Sequence, residues 1–173
     1  MRLFRLIAAT VVVTMLPHAA SAVDLPIRKA GLWEIRMTVA GVQTPPTAMQ
    51  HCTDETTDKE MASGLGPMSA DMCSKNDVEK TATGYATNSV CTIAGKTSTT
   101  RAEFTGDFNS AYTVKVSSQS AGAAAGAPRD STISIDAKWM GACKSDQKAG
   151  DIVMPGGMKM NIKDLQALKG QKK

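Results

Sequence analysis

Between Gly31 and Val39 the side chains alternate without interruption. Trp33, Ile35, Met37 and Val39 fall on one face, and Glu34, Arg36 and Thr38 on the other, with Leu32 alone out of step. A period of two marks a strand that buries one face and wets the other. The pattern returns near the far end of the chain, where Ile133, Ile135, Ala137 and Trp139 alternate with Ser134, Asp136 and Lys138. Aromatic residues are only 4% of the chain and Trp33 and Trp139 are its two tryptophans. These two strands are therefore expected to carry the large residues of one small core. Trp33, Ile35, Met37 and Trp139 are also the face on which a ligand would be sought.

The sequence between them reads as more strands. Gly41 and Pro45-Pro46 break the chain, and Thr47 to Cys52 can return as a second strand. Asp54 to Ala62 lacks Gly and Pro and opens with acids, as a helix does, with Thr53 as N-cap and Gly64 as stop. This helix is polar on nearly every side, so it is expected at the surface with little part in the core. Asp77 to Ala82 and Tyr85 to Ile93 suggest a Thr-rich hairpin around Gly84, followed by runs at Lys96 to Thr105 and Tyr112 to Val116. Ser117 to Pro128, rich in Ala, Gly and Ser, reads as a flexible hairpin tip. About seven strands at hairpin spacing and one short helix predict a mainly β fold, either a curved antiparallel meander or a partly open barrel.

The two ends have other roles. Arg2 and Arg5, the apolar run Leu6 to Leu16 and Ala20-Ser21-Ala22 have the order of a secretory signal peptide, residues 1–22, cleaved after Ala22. The expected product is a periplasmic or secreted protein that does not span the membrane. Four cysteines remain, and an even count in an exported chain reads as two disulfides. Three connectivities exist. A hairpin near Thr83-Gly84 favours Cys73–Cys91, which leaves Cys52–Cys143 and a stapled domain over residues 23–143. From Lys144 to Lys173 seven lysines face three aspartates, so residues 144–173 read as a basic tail, most simply a solvated end. Ile152 to Met160 around Pro155-Gly156-Gly157 could form a minor hairpin, and Ile162 to Leu168 a short helix. Truncation after Asp146 is nonetheless expected to leave the fold intact.

Chemistry is sparse. Without the leader, His51 is the one histidine, which excludes multi-His metal sites and leaves one candidate general base of the usual kind. The chain contains no G-x-S-x-G, no phosphate-binding glycine loop and no Cys-x-x-Cys. Asp54, Glu55, Asp58 and Glu60 lack the ligand spacing of a calcium loop and suit a solvated helix face. The basic tail has no interleaved aromatics, which argues against nucleic-acid binding. Met154, Met158 and Met160 offer soft thioethers of the kind that select Cu(I), although Met is equally a gap-filling apolar residue.

Taken in order, Gly31-Leu-Trp-Glu-Ile35, Gln50-His-Cys52-Thr53 before a short helix, Cys91 in a strand, Phe104-x-Gly106 and Trp139-x-Gly141-x-Cys143 resemble the domain of unknown function 3617 family, over roughly Ala30 to Cys143. The resemblance implies a small exported β-rich bacterial protein with structural disulfides, and carries no activity, cofactor or catalytic residue. The expectation is a non-enzymatic envelope protein acting as a binding or interaction module through its sheet, with no cofactor and an unidentified partner. The alternatives are a carrier of a small apolar ligand within a curved sheet and a Cu(I) protein using the tail methionines.

Overall fold

The computed structural model describes residues 23–43, 45–62, 72–93, 95–121 and 129–164. The leader, the stop at Gly64, residues 122–128 of the expected hairpin tip and the pattern through Leu165 and Leu168 lie outside the described residues. Among the described residues nine strands form one antiparallel sheet: β1 (Gly31–Val39), β2 (Thr47–Thr53), β3 (Cys73–Lys80), β4 (Gly84–Ile93), β5 (Lys96–Asp107), β6 (Ala111–Ala121), β7 (Asp130–Gly141), β8 (Asp151–Val153) and β9 (Lys159–Asn161). Their order is β3-β4-β5-β6-β7-β1-β2-β8-β9, so among the described residues β3 and β9 are the edges of an open sheet. The meander β3 to β7 is local, whereas the β1–β2 hairpin joins it through β7, about a hundred residues away in sequence.

The registers separate two faces. Ile35 lies opposite Met49 on β2 and Ala137 on β7, and Met37 opposite Ile135. The same face continues through Tyr112 and Val114 on β6 and Phe104 on β5. This inner face is apolar. The outer face carries Glu34 and Arg36 on β1, Asp136 and Lys138 on β7, and Arg101 with Glu103 on β5. Arg101 there reaches Glu79 at 2.8 Å and Asn88 at 2.9 Å. Alternation alone thus sorts a solvated, charge-laced face from a buried one.

Gly31 opens β1 because nothing larger fits. Its φ is +130°, and a Cβ there would meet the Gly141 carbonyl and lie 2.7 Å from Trp139 Nε1. The Gly-Leu-Trp opening and the Trp-Met-Gly close of β7 are therefore two sides of one contact. Both disulfides pair as the hairpin register predicts. Cys73 stands opposite Cys91 on β3 and β4, and Cys52 on β2 joins Cys143, just past β7.

Four expectations need correction. The helix α1 (Glu55–Ala62) is capped by Asp54, whose Oδ1 accepts from Thr57 N at 2.8 Å, rather than by Thr53. α1 is also not confined to the surface, since Thr57 and Asp58 are both buried. β6 runs on through Ser117 to Ala121, paired with β5 to its end and with β7 as far as Gln119, because a central strand needs backbone partners more than apolar side chains. Finally, the sheet does not stop at Cys143. β8 pairs with the free edge of β2, β9 closes a hairpin on it, and Asp151, Asn161 and Ile162 are buried. An open β2 edge would otherwise leave a row of backbone groups unpaired.

Truncation after Asp146 is consequently expected to have the opposite outcome to the one the sequence suggests. It removes buried Ile162, about 1.5–3 kcal/mol on transfer grounds, together with the Gly150 N–H bond to the Cys52 carbonyl at 2.8 Å. The truncated protein should melt roughly 5–12 °C lower and self-associate through the bared β2 edge. Calorimetry and size-exclusion chromatography would check this, and an unchanged melting temperature would refute it.

Candidate functional site

The strap of residues 23–30 that precedes β1 brings Arg28 to the place where β1, β2, β6 and α1 meet. Its backbone N–H donates to Asp58 Oδ2 at 2.6 Å and its Nε to Asp58 Oδ1 at 2.6 Å. The guanidinium also donates to His51 Nδ1 at 3.1 Å and lies 5.8 Å from the Trp33 ring centre. Both members of the Arg28–Asp58 pair are almost completely shielded from solvent. A buried charge pair is tolerated only when its remaining donors and acceptors are also used, and Asp58 accepts from both the main chain and the side chain of Arg28.

An arginine only donates, so Nδ1 of His51 must accept and the neutral ring carries its proton on Nε2. That Nε2–H is buried and has no partner among the described residues. Burial first, and the Arg28 charge second, lower the pKa of His51 from 6.5 to about 4, with Asp58 opposing. The unfolded chain therefore takes up this proton at higher pH than the folded one. Stability associated with neutral His51 is complete above pH 6.5 and is lost as pH falls towards 4, up to about 3 kcal/mol. Urea unfolding of the parent and His51→Gln between pH 7 and 4 should show this slope in the parent and a shallower one in the variant; equal slopes would assign it to carboxylates.

Beside the clasp runs an aromatic row. Trp33 and Tyr112 rings lie 5.5 Å apart, Tyr112 stacks on Phe108 at 4.9 Å, and Phe108 meets Tyr85 edge-on at 6.3 Å. Phe108 folds back from the turn after β5, where its carbonyl accepts from Lys29 N at 2.9 Å. Together the strap, α1 and this row close one end of the inner face.

Towards the other end the inner face opens. Along β1, Trp33 is 0% exposed, Ile35 and Met37 are half-buried, and Val39 is 39% exposed. Across the neighbouring strands Phe104, Val116, Ile133 and Ile135 are half-buried as well. The result is a half-covered apolar face on β1, β5, β6 and β7, hereafter the trough, whose exposure rises along β1 towards the β1–β2 turn, its mouth.

The four residues singled out on the two alternating strands differ in depth. Trp33 is packed core, Ile35 and Met37 line the trough, and Trp139 is only half-buried. The indole of Trp139 donates to the Ala30 carbonyl at 3.1 Å while Lys29 Nζ sits 3.7 Å over its ring. Arg28, Asp58, Phe108 and Tyr112 are the residues that sequence reasoning missed. In the sequence His51 stands out only as the one candidate general base, which does not name its partners.

The outer face has a groove of about 710 Å³ bordered by Glu34, Arg36, Thr113, Asp136, Lys138 and Met140. Of its charged groups, Arg36 pairs with Glu34 at 2.9 Å and Asp136 accepts from the Thr113 hydroxyl at 2.9 Å. The tail methionines are divided. Met154 borders a depression with Glu34 and Gln50 on the outer side, Met160 lies opposite Ile152 on the inner side, and Met158 is 61% exposed. Among the described residues no group of three or more His, Cys, Asp or Glu is arranged to hold a metal, and no helix is long and apolar enough to cross a membrane.

No curated protein and no solved structure matches the chain. A family model does, over residues 28–143, from the clasp arginine to the last cysteine. That span takes in β1 to β7, α1 and both disulfides and leaves β8 and β9 outside. The chain belongs to the family described as "Protein of unknown function (DUF3617)".

Proposed function

We propose that the protein is an exported, non-enzymatic binding module of the cell envelope that takes an apolar group onto the inner face of its sheet. The observation that carries this reading is the exposure gradient along β1, from fully buried Trp33 to exposed Val39. A soluble sheet normally covers such a face, and an apolar surface left half open is most often an interaction site. Catalysis has little support, because the single imidazole outside the leader is 1% exposed and already accepts from Arg28. Export is supported by the leader-like residues 1–22 and by the two disulfides.

The occupant favoured here is an apolar side chain or segment of an envelope protein. The closing of one end by Trp33, Tyr112 and Phe108 favours a second occupant, a small apolar ligand entering from the mouth. Native mass spectrometry of protein recovered from the periplasm without refolding separates the two. A partner polypeptide supports the first and a mass increment of a few hundred daltons supports the second. Recovery of the bare chain at every concentration would defeat both. Val39→Asp, at the mouth, should change stability by less than about 1 kcal/mol yet lower the bound fraction at least fivefold, as read from the same spectra.

A further inference from the structure

Among the described residues little apolar packing holds α1 at the closed end of the trough. Among its described side chains Thr57 and Asp58 are buried, Glu60 is half-buried and Met61 is 43% exposed. The contacts that fix it include two polar ones, Asp58 to Arg28 and the Thr57 hydroxyl to that of Thr53 at 3.1 Å. Arg28 in turn is fixed by His51 on β2 and reaches the Tyr112 hydroxyl on β6 at 3.4 Å. One guanidinium therefore ties the strap and the helix to the sheet.

We infer that Arg28, His51 and Asp58 form an acid-released clasp, in which a proton added to His51 frees α1 and the strap and opens the trough at its closed end. The inference rests on the reading of the trough as the binding face and adds its regulation. His51 faces Arg28 from the strap and Asp58 from α1, and its cross-strand neighbours are Trp33 on β1 and Ile152 on β8. A proton from solvent can bind only at Nδ1, since Nε2 already carries one. Nδ1 then becomes a donor facing the donor of Arg28 at 3.1 Å, and two cations share one carboxylate. The hydrogen bond that positioned Arg28 is replaced by repulsion, and the contact most weakened is the one on which α1 depends.

The test uses the full exported chain carrying Trp139→Phe, so that Trp33 is the sole tryptophan. Hydrogen exchange of residues 55–62, corrected for intrinsic pH dependence, and acrylamide quenching of Trp33 are followed from pH 7 to 3.5. In the parent, α1 should lose at least tenfold in protection as His51 titrates, while β4 to β6 stay protected. In His51→Gln, whose amide oxygen still accepts from Arg28 but cannot titrate, that loss should be absent above pH 4. The same profile in both proteins would overturn the clasp. Should His51→Gln fail to fold, Asp58→Asn must show an unprotected α1 already at pH 7, and parent-like protection there would overturn it equally. These readouts need no ligand, so they stand apart from the reading of the trough. An apolar fluorescent dye is added in a second arm; clasp release without dye uptake would refute the trough and its gating while leaving the clasp.

Discussion

Trp33→Ala should lower stability by about 3–5 kcal/mol, while Trp139→Ala should cost only about 1–2 kcal/mol. Both tryptophans end apolar alternations, and they stand opposite one another across β1 and β7. Their surroundings differ. Trp33 is fully buried against Tyr112 and Arg28, and its Nε1–H donates to the Lys29 carbonyl at 2.8 Å. Truncation would open a cavity among groups that cannot collapse, because Arg28 is held by Asp58 and His51, and would leave the Lys29 carbonyl without its donor. Trp139 is half-exposed under the Lys29 ammonium, a cation–π contact of about 0.5–1 kcal/mol. Urea midpoints with unchanged slopes would measure both changes. Equal losses for the two variants would mean that the core is not centred on Trp33.

The contrast marks how far the sequence could be read. Period-two alternation correctly placed β1 and β7 and put Trp33, Ile35, Met37, Ile135 and Ala137 on one face, because side-chain direction in a strand is fixed by the backbone. It could not say how deep each residue lies, which depends on what covers the face. Gly31 has no Cβ, and the Trp139 indole occupies the space this leaves, reaching the Ala30 carbonyl and lying under Lys29. β8 and β9 are three residues each, too short for any periodicity, and form because β2 offers an unpaired edge. Arg28 was illegible for a similar reason. Its burial depends on an aspartate 30 residues away and a histidine 23 away, and no local pattern encodes such a meeting. The apolar trough itself was only half legible. The residues could be listed, but the gradient that distinguishes a floor from a mouth exists only once α1 and the strap have closed one end.

Removing the Cys52–Cys143 disulfide, by Cys52→Ala with Cys143→Ala, should cost about 4–5 kcal/mol, and removing Cys73–Cys91 in the same way about 3 kcal/mol. The estimates follow from loop closures spanning 91 and 18 residues, since the longer loop leaves the unfolded chain more freedom to regain. Position reinforces the order. Cys52 is buried at the end of β2, beside His51 and Thr53, and Cys143 lies just past β7, so the bridge spans β1 and holds the N-terminal hairpin to the meander. The other bridge joins β3 to β4 at the sheet edge, where the hairpin register already aligns them. Denaturant unfolding of the two double variants should preserve this ranking. If losing Cys73–Cys91 proved the costlier, the edge hairpin would be the weaker part of the sheet. If the Cys52–Cys143 variant kept its stability but lost protection at α1 alone, the bridge would serve the clasp end of the fold rather than the joining of its two halves.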